Sequence, residues 1–158
     1  TGGRAMKRKR TPLELRNMEE YVAYLCSRYT KLDYWQTPHN TEYDFQLFDE
    51  RDIRILGEIK IRSGIFPDWF VADKKINWLL KTCNAFRCVP WFVIYSETTK
   101  ATYILNLNHH YTSRAGEMMN TELQQPVKES GQFIPLEFWQ VIDSKASFEE
   151  ATSQLDWK

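Results

Sequence analysis

Three residues in the middle of the chain are suited to hydrolytic chemistry: Asp44, Glu58 and Lys60. Glu58-Ile59-Lys60 is an acid-x-Lys tripeptide. By itself that is weak, because Asp73-Lys74-Lys75, Asp143-Ser144-Lys145 and Asp156-Trp157-Lys158 match it too. Context separates them. Only Glu58 and Lys60 stand inside an apolar alternating run. There a period of two sends both to one strand face, and Ile59 and Ile61 to the other. Two facing carboxylates, with Cβ atoms about 4.5–5.5 Å apart, repel unless something neutralises them. A hard divalent cation does so: Mg²⁺ takes oxygen ligands, and Mn²⁺ is a ready substitute. Such a metal generates a nucleophile from water and stabilises charge at phosphorus. Lys60 then orients the attacking water or offsets charge on the pentacovalent phosphate. The competing reading is a surface hairpin whose acids are solvated, with Lys60 paired to one of them.

The elements that must position these residues follow from periodicity. Thr11 and Pro12, followed by Leu13, Leu15, Met18, Val22, Leu25, Cys26 and Tyr29, predict a capped helix over 12–29. A short strand is expected near 33–37. Residues 43–48 and 53–62 both alternate and read as a hairpin around Asp49-Glu50-Arg51-Asp52. Setting Asp44 opposite Glu58 also pairs Phe45 with Gly57 and Leu47 with Ile55. A one-residue slip would separate the acids and expose half the apolar set, so core burial and acid clustering demand one register. That register needs an odd-numbered turn centred on Arg51. Residues 73–86 predict a second helix with Asp73 as N-cap. Residues 89–95 and 102–107 predict strands. The run from 53 to 95 is then a right-handed βαβ crossover with parallel strands. Residues 63–72 read as a loop, 108–132 as irregular, 134–142 as apolar of undecided type, and 147–155 as a terminal helix. The class is α/β with a mixed sheet.

With Tyr43-Asp44-Phe45 and Leu56-Gly57-Glu58-Ile59-Lys60 lying between a Glu-bearing helix and a basic helix, the chain resembles the PD-(D/E)xK nuclease superfamily. Within it, the resemblance is to the archaeal Holliday-junction resolvase and Mrr-like restriction group, and it spans roughly residues 15 to 107. Tyr43 stands where the family has proline, and Gln46 is not part of its core motif. The resemblance implies a restriction-endonuclease-like αβββαβ core with a mixed central sheet flanked by helices. It implies Asp44 and Glu58 as metal ligands and Lys60 as the catalytic lysine. It adds a helix carboxylate, Glu19 or Glu20. The helical wheel favours Glu19, which lies nearer the apolar stripe. The second helix of such proteins flanks the active site and often sends a polar side chain to the scissile phosphate. Lys75 is the candidate, with Asn77 behind it. Arg62, Lys74, Lys75 and Lys81, with Arg87 just after the helix, are expected to meet DNA.

Phe66, Trp69 and Phe70 read either as loop aromatics that stack on bases or as core. Lys7-Arg8-Lys9-Arg10 reads as a phosphate-binding arm or a solvated start. His39, His109 and His110 fit no triad. Cys26, Cys83 and Cys88 lack a disulfide-scaffold spacing and read as reduced thiols, and no second Cys/His pair completes a zinc site.

The 158 residues suit one domain: residues 6–158, with a core over about 12–107 and an extension over 108–158. Thr1 to Ala5 read as a cloning remnant. Hydrophobic residues at 42% and charged residues at 27% exclude a disordered chain. No transmembrane or signal segment is seen, so a cytoplasmic protein of viral, plasmid or prokaryotic origin is expected. Lys+Arg and Asp+Glu are 21 each, yet the charges segregate. Residues 42–58 hold six acids against two arginines, and residues 60–88 hold six bases against two acids. An acidic metal cup beside a basic track excludes a uniform polycation and suits phosphodiester binding. The function expected is a Mg²⁺-dependent endonuclease acting on DNA, possible as a homodimer. The alternative is an inactive nuclease-fold module that binds nucleic acid or protein.

Overall fold

The computed structural model describes residues 11–38, 42–120 and 125–143. The first helix, α1, spans Pro12–Thr30. The Thr11 hydroxyl accepts the Glu14 N–H at 3.2 Å, and Pro12 takes a position whose N–H needs no partner. Lys31 ends the helix in the left-handed region, at φ 62°. Strands β1 (Asp33–Gln36), β2 (Phe45–Phe48) and β3 (Ile53–Arg62) follow as an antiparallel meander. After them come β4 (Asp68–Ala72), helix α2 (Asp73–Phe86), β5 (Val89–Ser96) and β6 (Ala101–Asn106). The chain then forms β7 (Arg114–Asn120), β8 (Val127–Pro135), a one-turn 3₁₀ helix at Leu136–Phe138, and β9 (Gln140–Asp143).

Six strands form one sheet in the order β1-β2-β3-β5-β6-β9, with β3 and β5 parallel and every other pair antiparallel. This is the mixed sheet the βαβ reading requires. One sheet face, carrying Ile55, Ile59, Trp91 and Val93, packs under Val22, Ala23, Cys26 and Tyr29 of α1. The other face, carrying Phe92, Ile94 and Leu105, packs under Ile76 and Leu79 of α2. Leu56, Glu58 and Lys60 belong to this second face by strand alternation.

Three local expectations are corrected, and one left open is decided. Residues 63–72 are not all loop: Asp68–Ala72 is β4, which pairs with β8 and, with β7, makes a second, three-stranded sheet. Trp69 and Val71 are buried against Ile134 and Trp139, so Trp69 is core; Phe70 packs on Phe133. Residues 108–132 are not all irregular: among the described ones, β7 and β8 pair over seven positions. The undecided stretch 134–142 holds the end of β8, the 3₁₀ turn and β9. Asp73 is not the N-cap of α2. Ala72 occupies that position without a side-chain cap, and the Asp73 carboxylate instead accepts from Gln132 Nε2 at 3.1 Å. The expected helix at 147–155 lies outside the described residues.

Candidate active site

Strand register builds the site. Phe45 pairs with Gly57 and Leu47 with Ile55, as burial demands. A bulge between Leu47 and Phe48 then shifts Phe48 onto Ile53. It converts the odd turn into a four-residue one, in which Asp49 Oδ1 accepts from the N–H groups of Arg51 and Asp52 at 3.0 and 3.1 Å. Gly57 lets the strands approach closely, because the Phe45 ring fills the space where a Cβ would stand.

Asp44 immediately precedes β2. Its N–H donates to the Gly57 carbonyl at 2.8 Å, and its Oδ2 accepts the Ile59 N–H at 2.7 Å. The β2–β3 ladder therefore ends by pinning a carboxylate, not by fraying. Glu58 lies close enough to Asp44 for each to feel the other's carboxylate. It is 5% exposed, and among the described residues it is the one charged side chain in the buried set. Two ammonium groups face it: Lys75 Nζ at 3.2 Å from Oε1, and Lys60 Nζ at 4.0 Å from the same oxygen.

Electrostatics in this knot oppose one another. Burial pushes the Glu58 carboxyl up to about 8, helped by the Asp44 charge, while Lys75 and Lys60 pull it back. Burial also raises Asp44, against the Ile59 N–H and the two lysines. Burial disfavours the charged form of Lys75, but the Glu58 and Asp44 carboxylates outweigh it and raise the ammonium's pKa overall. A buried carboxylate beside a half-buried one takes up either a proton or a cation. Their donors are all oxygen, the set that Mg²⁺ and Mn²⁺ accept.

The other predicted residues separate. Glu19 is half-buried and in helical step with Val22, Ala23 and Cys26, which face the sheet. Glu20 is exposed, and its Oε1 accepts from the Tyr34 hydroxyl at 3.4 Å, toward the β1 edge. Among the described residues no three His, Cys, Asp or Glu side chains converge to hold a metal ion. The acidic cluster is thus the pair Asp44 and Glu58. Arg62 is half-buried at the end of β3, with Nη1 donating to the Ile61 carbonyl at 3.3 Å. Lys74, Asn77, Lys81 and Arg87 are exposed on or just after α2, and Phe66 is exposed in the loop before β4. His109 bonds Asn106 at 3.2 Å, and His110 packs edge-on to Phe138. The basic run 7–10 and His39 lie outside the described residues.

Sequence reasoning missed the surroundings of Tyr43. Its hydroxyl accepts from Gln46 Nε2 at 3.0 Å, its ring packs on Trp78, and the buried Thr37 hydroxyl donates to its carbonyl. Gln46, two residues beyond Asp44, was the available signal. An open hollow of about 390 Å³ lies beside Trp35, Phe48 and the 49–52 turn; it reaches Gln46 but neither carboxylate. No helix among the described residues is long and apolar enough to cross a membrane.

No protein-family model matches the chain, and no curated protein matches it. Among solved structures, it is similar to Hjc of Archaeoglobus fulgidus, a Holliday junction resolvase from an archaeal hyperthermophile. The TM-score is 0.54 at 8% identity, over 89% of this chain and 96% of that one. At such identity the likeness is one of fold: a mixed α/β sheet between helices, of the restriction-endonuclease-like kind.

Proposed function

We propose that the chain is a divalent-metal-dependent nuclease that hydrolyses phosphodiester bonds in DNA as an endonuclease. One observation carries this reading: a buried carboxylate, Glu58, within reach of a second, Asp44, on the sheet face that also presents Lys60 and Lys75. A structural ion pair has no need of a second, half-buried acid beside a buried one, since their mutual repulsion costs stability. Asp44 and Glu58 would hold Mg²⁺ or Mn²⁺; Glu19 on α1 does not converge with them here, and would become a further ligand by a shift of α1 toward the pair. The metal, when bound, neutralises the carboxylates and stabilises charge at phosphorus.

The chain's own groups supply the rest. The Ile59 N–H fixes Asp44 Oδ2, so that carboxylate is oriented before any ligand arrives. Lys60, half-buried one strand repeat beyond Glu58, orients the attacking water or offsets charge on the phosphate. Lys75 holds Glu58 in place and offers a second cation to the scissile phosphate. Lys74 and Lys81 continue along α2 as phosphate contacts, and Arg62 extends the β3 face. The DNA is branched or otherwise structured, and the enzyme acts as a homodimer. The likeness to a Holliday junction resolvase favours the branched substrate through fold alone.

A second reading has one observation in its favour. The Lys75 ammonium already sits 3.2 Å from Glu58, where a cation would bind, as would suit a nuclease-fold module that binds nucleic acid or protein without cleaving. Incubation with supercoiled plasmid and branched DNA in Mg²⁺ or Mn²⁺, beside Lys60→Ala and Asp44→Ala, separates the two. Cleavage lost in both variants supports the enzyme. Wild type as inactive as the variants on every substrate overturns it.

A further inference from the structure

At the other end of α2 from Lys75, the helix ends on a pair of cysteines. Arg87 takes the left-handed conformation at φ 57°, and the chain turns so that the Cys88 N–H donates to the Cys83 carbonyl at 3.0 Å. This six-residue closure is a Schellman-type ending, which brings the side chain after the left-handed residue onto the one five positions earlier. An apolar pair normally fills that contact. Here both are cysteines, packed together against Leu56 of β3. The two side chains thus share one small buried cluster. The third thiol, Cys26, is fully buried in the separate cluster under α1.

We propose that Cys83 and Cys88 are a reversible oxidation site: a peroxide converts them to an intramolecular disulfide that staples the end of α2 to the start of β5. Cys88 is the attacking sulfur. It is the more exposed of the two, at 9% against 2%. Its sulfur attacks one peroxide oxygen: the S–O bond forms, the O–O bond breaks, and hydroxide leaves and takes up a proton. The Cys83 sulfur then attacks the Cys88 sulfenic sulfur. The S–S bond forms, the S–O bond breaks, and the departing hydroxide takes the Cys83 proton. Two thiols and one hydrogen peroxide give one disulfide and two waters. Thiols such as glutathione reverse the reaction by exchange.

The test is hydrogen peroxide treatment of the folded protein, then thiol blocking in denaturant and peptide mass mapping. The expected product is a Cys83–Cys88 linked peptide with Cys26 still alkylated, restored to three alkylated thiols by dithiothreitol. It should form at least ten-fold faster in the folded protein than in urea-unfolded protein, and should raise Tm by about 5 °C. Cys83→Ala should divert Cys88 to a sulfenic acid that a dimedone probe captures. Cys88→Ala should leave Cys83 unmodified at the same dose. Three outcomes overturn the proposal: all thiols surviving a dose that oxidises free glutathione, links through Cys26 or between chains, or equal rates in folded and unfolded protein.

Discussion

The ammonium of Lys75, on α2, lies 3.2 Å from Oε1 of Glu58, on β3. That bridge ties the basic helix to the acidic strand, and it sets up a competition. Whatever cation the carboxylates bind must share Glu58 with Lys75 or displace it.

Lys75→Ala should therefore tighten Mn²⁺ binding by ~3–10-fold, by removing a competing charge, while slowing DNA cleavage by ~10–100-fold. Isothermal titration and single-turnover kinetics on the same preparation read the two effects. Weaker Mn²⁺ binding in Lys75→Ala would mean that Lys75 supports the metal site and does not compete with it.

Metal binding should be pH-dependent. Burial and Asp44 raise the Glu58 carboxyl to about 8, so near neutral pH the metal-free pair holds a proton that a metal must expel. Apparent Mg²⁺ affinity should rise ~10-fold per pH unit from 6 to 7 and level off above about 8, with close to one proton released. Titration in two buffers of different ionisation enthalpy counts that proton. Affinity flat from pH 6 to 8 would contradict the assignment.

The same shift governs metal-free stability. A carboxyl raised from 4.5 to about 8 on folding contributes stability present below pH 4.5 and lost as pH rises through 8. Wild type should weaken between pH 5 and 9, whereas Glu58→Gln should be flatter and more stable than wild type by ~1–3 kcal/mol at pH 9. Urea denaturation at both pH values measures this. A wild type that gains stability over that range would refute it.

Gly57→Ala should destabilise the fold by ~1–3 kcal/mol, because the new methyl collides with the buried Phe45 ring. Phe45 adjoins Asp44, so cleavage should fall further than the loss of folded protein explains. An unchanged Tm with full activity would mean that the strands tolerate separation.

The β2–β3 register was legible because Phe45, Leu47, Ile55 and Ile59 leave one arrangement that buries them together, and that arrangement seats Asp44 beside Glu58. Helix α1 was legible to within a residue because Thr11 and Pro12 mark its start by local bonding. The second sheet was not. Trp69 and Val71 alternate as a strand should, but β8, which pairs with them, lies more than sixty residues away, and nothing local to 63–72 announces it. Polar β7 and β8 gave no apolar alternation either, since the hairpin is largely solvent-exposed. Lys75 was expected at a phosphate. Its place beside Glu58 depends on how α2 packs over β3, which helical periodicity alone does not specify.

The most direct test pairs metal binding with cleavage across three proteins. Wild type, Lys60→Ala and Asp44→Asn are compared for Mn²⁺ affinity and for single-turnover cleavage of a four-way junction. Lys60→Ala should keep Mn²⁺ affinity within a few-fold and lose cleavage by ~100-fold or more, while Asp44→Asn should lose both. Cleavage by Lys60→Ala at the wild-type rate, or Mn²⁺ binding undiminished in Asp44→Asn, would contradict the assignment of this site.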